Sequence, residues 1–271
     1  MKTYVVLHKK VGETPLACLE EYKSQHERLW CVPMAYAGRL DPMAEGKLLV
    51  LLGDECKVQE KYHKLDKEYT FEVLFGVHSD TADVLGRLDT CEVPKITTRA
   101  IKNVAKKMVG RVELPYPHFS SKTVDGKPLH TWKLEGRIDE IVIPTKQSTL
   151  YSLTLKCLRQ ESAQSVFVYA TEKIETIPKV TEERKALGND FRRSDIRKDW
   201  QKFMDEHNAD TRFYIATFTC VCSSGTYMRT LAELIANELH ACGLAYSIKR
   251  TKIGIYQKLP FGLGFWRKSY K

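Results

Sequence analysis

The segment Gly38-Arg39-Leu40-Asp41-Pro42 offers one carboxylate, Asp41, in a turn-prone stretch that leads directly into the apolar run Lys47-Leu-Leu-Val-Leu-Leu-Gly53. That arrangement suits catalysis, because a loop presents the side chain while a buried element behind it holds the loop still. An ionised carboxylate can attack carbon as a nucleophile or accept a proton as a base. An isolated Asp before Pro is more often a plain turn residue, so Asp41 needs partners. A carboxylate in an apolar pocket also needs a cation beside it to stay charged and aimed. Other chemistries lack their groups: the sequence holds no recognisable nucleophile triad. The eight cysteines, at 18, 31, 56, 91, 157, 220, 222 and 242, form no Cys-x-x-Cys pair and no zinc-like cluster with histidine.

The elements that must carry such a loop are readable from periodicity. Tyr69, Phe71, Val73 and Phe75 alternate with Thr70, Glu72 and Leu74, a strand with one aromatic face. Leu150 to Leu158 and Phe213 to Cys222 alternate likewise. Leu16 to Lys23 reads as a helix capped near Thr14-Pro15. Thr97-Thr98 caps a second helix whose Ile101, Val104, Ala105 and Met108 fall at i, i+3, i+4 and i+7 and which ends at Gly110. Arg229 to His240 gives a third, with Leu231, Leu234, Ile235 and Leu239 inward and Gly243 as its stop. Strands and helices without a regular βαβ rhythm predict an α+β fold.

Composition narrows the partners. With 43 Lys and Arg against 34 Asp and Glu, the net charge is +9, and Leu239 to Lys271 holds seven basic residues and no acid. A basic flank containing tyrosine suits a phosphate backbone, although charge alone fits a merely soluble surface equally well. The cysteines read as small apolar core residues of a protein kept in a reducing compartment. Cys220 and Cys222 share one face of a strand, and a redox role for them is the weaker reading. No stretch approaches the roughly 20 apolar residues of a membrane span, and Met1-Lys-Thr-Tyr lacks a secretory core; the expected location is the cytoplasm.

Several blocks occur in one order. His8-Lys9-Lys10-Val11-Gly12-Glu13-Thr14 is followed by the Asp41 loop, then Lys67-Glu68-Tyr69, Ser79-Asp80-Thr81-Ala82-Asp83 and Pro117-His118-Phe119-Ser120-Ser121. Val124-Asp125-Gly126-Lys127, Ser224-Gly225-Thr226-Tyr227-Met228-Arg229 and Arg250-Thr251-Lys252-Ile253-Gly254 complete the set. Together they resemble RNA pseudouridine synthases of the TruB type. The resemblance implies a large bent mixed sheet with flanking helices and a central RNA-binding cleft, and isomerisation of uridine to pseudouridine without a cofactor or metal. It assigns Asp41 as the catalytic residue, Arg229 as its charge-holding partner and Tyr69 as the ring that stacks on the target base. It places Tyr36, Arg39, Lys9, Lys127, Arg250 and Lys252 on the RNA side, with Lys9 either supporting the loop or contacting phosphate. Asp80 and Asp83 are left out of catalysis, since local hydrogen bonds explain an Asp-Thr-x-Asp turn.

Departures from the family pattern bear on the target. Lys10 stands where the family usually has proline, and Tyr36 where it usually has histidine. Arg39 makes the loop resemble the Arg-Leu-Asp motif of rRNA pseudouridine synthases as well. The expected substrate is uridine 55 in the T-loop of tRNA, bound through the T-arm by a monomer; an rRNA synthase, or an RNA-binding or RNA-folding protein with secondary catalysis, is the alternative. The expected organisation is a single catalytic domain over 1–271, with an insertion at about 160–210 and no C-terminal PUA-like domain. Mixed charge in the insertion favours a solvated helical excursion around Asp195 to His207. The other reading is an RNA-contacting arm using Arg192, Arg193, Arg197 and Lys198.

Overall fold

The computed structural model describes residues 3–92, 95–178, 190–260 and 263–271. In chain order it begins β1 (Tyr4–Lys9), α1 (Pro15–Ser24), β2 (Met34–Tyr36), β3 (Ala44–Leu52), α2 (Glu60–His63), β4 (Asp66–Phe75), β5 (Val77–Ser79) and β6 (Leu88–Thr90). The middle comprises α3 (Thr98–Met108), β7 (Gly110–Pro115), β8 (Thr123–Val124), β9 (Lys127–Pro128), α4 (Leu129–Leu134), β10 (Thr145–Ser162), α5 (Ala163–Thr176) and α6 (Arg193–Glu206). The last elements are β11 (Arg212–Cys222), α7 (Met228–Asn237), β12 (Gly243–Lys258) and β13 (Gly264–Ser269).

Among the described residues a nine-stranded sheet runs in the order β1-β3-β12-β4-β11-β10-β7, with β2 paired to β3 and β13 to β12. The β12–β3 pair is parallel, Ile248 facing Ala44 and Arg250 facing Gly46, and the rest of the path is antiparallel. The result is the expected α+β fold with a large mixed sheet. Alternation in β4 sends Tyr69, Phe71, Val73 and Phe75 into the core, and Phe71 stacks on Phe218 of β11, its partner in register, at 5.3 Å. Thr14 and Thr97 cap α1 and α3 by accepting from Ala17 and Ala100 N–H. The apolar stripe of α3 is buried at all four positions read from the sequence.

The stretch at about 160–210 differs from the solvated excursion expected. α6 buries Ile196, Trp200 and Phe203, at i, i+4 and i+7, in the same core that holds β4 and β11. Each such side chain contributes about 1.5–3 kcal/mol by leaving water, so the helix is part of the body of the fold despite its charged outer face. The cations read as an RNA arm are in ion pairs: Arg197 with Glu175, Arg193 with Asp190, Arg192 with Asp80, and Lys198 with Asp195 at 3.8 Å. Residues 179–189 of that stretch, which include Glu182-Glu183-Arg184-Lys185, lie outside the described residues.

The cysteines also need correcting. Cys91 and Cys242 form a disulfide that ties the end of the β5–β6 hairpin to the turn entering β12, so the expectation of eight reduced thiols fails for this pair. Cys18, Cys220 and Cys222 are buried thiols, as read, whereas Cys31 and Cys157 are exposed and Cys56 is half-buried, so the core reading fails for those three. Among the described residues no helix is long and apolar enough to cross a membrane.

Candidate active site

The Asp41 loop is held from below by two buried cations. Arg250, on β12, is 1% exposed; its Nε donates to Lys47 O at 2.7 Å, Nη1 to Arg39 O at 3.1 Å and Nη2 to Gly38 O at 3.3 Å. Lys9, at the end of β1, donates to Ala44 O at 2.6 Å and Lys10 O at 2.8 Å. Burial pulls its amine down to about 8. The loop carbonyls that would otherwise be orphaned thus receive charge-assisted donors. Gly46 has φ +111°, and a Cβ there would sit 2.3 Å from Arg250 O, so only glycine lets β3 and β12 approach this closely.

Asp41 meets its expected partner. Arg229, at the start of α7, donates from Nε to Asp41 Oδ2 at 2.8 Å, from Nη1 to Thr81 O at 2.9 Å and from Nη2 to Phe119 O at 3.4 Å. The guanidinium is buried and therefore pre-aimed, whereas the Asp41 side chain stays 39% exposed. Burial lowers the Arg229 pKa, but the charges of Asp41 and Asp83 outweigh it and the net shift is upward. Asp83 lies 3.7 Å from Arg229 Nε on the far side from solvent. Burial raises its carboxyl, against the pull of Arg229, the Thr81 hydroxyl and Leu85 N–H.

Tyr69, Lys67 and Arg250 line the inner part of a cavity of about 580 Å³ into which Asp41 projects. Burial pushes the Tyr69 phenol up to about 12, although the charge of Arg250 works the other way. The Lys67 amine, donating to Leu65 O at 2.6 Å, is lowered to about 8 by burial and by Arg250. Ile174 of α5, Arg192 and Ile196 of α6 also line the cavity. Among the described residues no group of three or more His, Cys, Asp or Glu side chains could hold a metal ion.

A model of the TruB family pseudouridylate synthase N-terminal domain matches residues 29–174, more than half of the chain. The chain belongs to the TruB family. A relative named tRNA pseudouridine synthase B from Caldicellulosiruptor saccharolyticus is 27% identical over 266 residues, covering 98% of this chain and 72% of that protein. One of the same name from Borreliella burgdorferi is 25% identical over 256 residues, covering 94% and 70%. Among solved structures, a Cbf5-Nop10-Gar1 complex aligns with TM-score 0.53 at 15% identity over 93% of this chain. It supports the fold, and the TruB-family chain spans about half (49%) of that neighbour's length.

The remaining expected positions separate into two groups. Arg39 is exposed at the cavity mouth and donates to Ser121 Oγ at 2.9 Å. Lys252 and Lys127 are partly exposed, paired with Glu68 and Glu135, and Lys127 also lies over the Trp132 ring at 4.6 Å. Arg250 and Lys9 are buried beneath the loop and brace it. For Lys9 this is the supporting role of its two expected readings, while Arg250, expected on the RNA side, lines the cavity with its donor nitrogens committed to loop carbonyls. Tyr36 is a correction. It sits on β2, packed with the cluster of Leu48, Val50 and Leu52, outside the cavity lining, because the β2–β3 register turns it to the other face of the sheet.

Lys67 and Phe119 were not among the expected site residues, Asp83 was left out of catalysis, and Arg192 was read only as a candidate RNA contact. Lys67, Asp83 and Phe119 stand within quoted family blocks, so a signal for the residues existed. The roles of Phe119 and Arg192 depend on a backbone carbonyl and on a fold-back across 112 residues, and neither leaves a mark in local sequence.

Proposed function

We propose that the chain is an RNA pseudouridine synthase acting on uridine 55 in the T-loop of tRNA, as a monomer and without a cofactor. The reading rests on Asp41 gripped at one oxygen by a buried Arg229 and half open toward a cavity backed by Tyr69. Isomerisation breaks the N1–C1′ bond and forms a C5–C1′ bond, while C5 gives up a proton and N1 gains one, so no redox partner is consumed. Asp41 is the group placed to act at the sugar or the base, as nucleophile or as base. Arg229 holds it fixed, which spares reorganisation as the reaction proceeds.

The target uridine must first leave its stack, at a cost of roughly a few kcal/mol. The Tyr69 ring offers a face to offset that cost. A phenol near 12 remains protonated at neutral pH, so Tyr69 is better suited to stacking than to removing the C5 proton as an anion. Arg39 at the mouth supplies an exposed cation for the phosphate backbone. The tRNA assignment draws on the names of the relatives.

The experiment is to incubate the protein with unmodified tRNA and rRNA transcripts and map new pseudouridines at nucleotide resolution. The expected product is a single T-loop pseudouridine, absent with Asp41→Asn. Conversion of rRNA with tRNA untouched would replace the substrate, and unchanged conversion by Asp41→Asn would overturn the site. Binding without conversion of either RNA would leave an RNA-binding protein.

A further inference from the structure

The two terminal nitrogens of Arg229 rest on backbone carbonyls from different loops: Thr81, in the turn between β5 and β6, and Phe119, between β7 and β8. Neither carbonyl lies in the main sheet. Something must keep the two loops at a constant separation if Arg229 is to aim Asp41.

Arg192, in the insertion, touches both. Its guanidinium pairs with both oxygens of Asp80, the residue before Thr81, with Nη2 3.2 Å from Oδ1. The same guanidinium lies over the Phe119 ring, 4.3 Å from its centroid. A planar fork can pair edge-on while stacking face-on, which an ammonium cannot do. The backbone at Arg192 is left-handed, φ +59° and ψ +23°, a region costly for a residue with a Cβ and held only where surroundings demand it. α6 secures the hairpin a second time on the other side of Thr81: Asp199 accepts from Arg87 Nε at 2.6 Å and from Leu88 N at 3.0 Å, and Trp200 Nε1 donates to Val84 O at 3.2 Å.

We propose that Arg192 is a positioning residue for the Arg229–Asp41 pair, bridging the two loops on which Arg229 rests, and that this is what the inserted helices contribute to the site. The assignment builds on the pseudouridine synthase reading. It differs from an RNA grip, because the Arg192 and Asp80 side chains are 18% and 19% exposed and satisfy one another.

The test compares Arg192→Ala, Arg192→Lys and Asp80→Asn with Arg197→Ala, which removes only an exposed pair with Glu175. Single-turnover rate and KM are measured on a tRNA transcript, with thermal melts to establish folding. The Arg229 Nε–H resonance, a proton held against Asp41, is followed in ¹H–¹⁵N spectra. Arg192→Ala should slow the chemical step at least tenfold with KM within twofold and shift or broaden that resonance. Arg192→Lys should recover less than half of the loss. The Arg192→Ala, Asp80→Asn double variant should be no worse than either single, since both break one bridge. Overturning results are a raised KM with an unchanged rate and a salt slope reduced by about 0.7, the mark of a lost single-strand phosphate contact, or behaviour matching Arg197→Ala. If the wild-type chain converts no RNA, the pseudouridine reading fails and the Nε–H signal still decides whether Arg192 positions Arg229.

Discussion

Removing the guanidinium at Arg229 should cost stability before it costs catalysis, and the amount follows from what it leaves behind. Arg229 and Asp83 are 5% and 4% exposed and 3.7 Å apart. In Arg229→Ala, Asp83 becomes a buried carboxylate without its cation, a loss of roughly 3–5 kcal/mol. The Thr81 hydroxyl at 2.7 Å and Leu85 N–H at 2.9 Å remain to soften the cost. The pH dependence has a definite sign. Asp83 is already raised in the folded protein, so the native state holds its proton more tightly than the unfolded chain does. Stability from this group is therefore fullest below the unfolded Asp value and is lost as pH rises through the folded one. Without Arg229 the folded value climbs further, so the deficit should widen toward pH 8 and shrink toward pH 5. Urea melts of wild type, Arg229→Ala, Asp83→Asn and the double variant at those two pH values measure it. Asp83→Asn should restore at least half of what Arg229→Ala loses. A loss under about 1 kcal/mol at pH 8, or no rescue by Asp83→Asn, would refute the account of Arg229 as the cation of a buried acid pair.

Three further outcomes are expected. Glu233, one helical turn beyond Arg229, is raised to about 7 by burial; it costs stability as pH rises from the unfolded Glu value through 7, so Glu233→Gln should gain about 1–2 kcal/mol at pH 8 and little at pH 5 in urea melts. Arg250→Met strips three donors from the carbonyls of Gly38, Arg39 and Lys47 and should cost about 2–4 kcal/mol while slowing single-turnover conversion; a rate within twofold of wild type argues against loop bracing. Cys91→Ser with Cys242→Ser opens a link spanning 151 residues and should lower stability by about 2–4 kcal/mol, with dithiothreitol reproducing the effect in wild type only; a reductant-insensitive wild-type melt would count against the bond.

Local rules were legible wherever local physics decided. The alternation of β4 and the threonine caps of α1 and α3 rest on contacts within a few residues. α6 was misjudged because eight charged side chains between Arg193 and Glu206 dominate its composition, while the burying stripe is only Ile196, Trp200 and Phe203. Arg250 read as an RNA ligand since a cation beside a motif is usually solvated. What buries Arg250 is the parallel pairing of β12 with β3, which slides it under a loop about 210 residues earlier in the chain. The Asp41–Arg229 pairing was accessible through family resemblance, whereas its support from Thr81, Phe119 and Arg192 needed the folded chain.

The place of β12 has a consequence for how the protein comes into being. It lies between β3 and β4, so the strand made almost last joins the N-terminal portion of the sheet to the rest. While the ribosome is still producing the chain, β3 and β4 each expose an unpaired edge, and such edges invite pairing with other chains. Until residues 243–258 emerge, the nascent chain carries Asp41 on one half-sheet and Tyr69 on another, with nothing to zip them together.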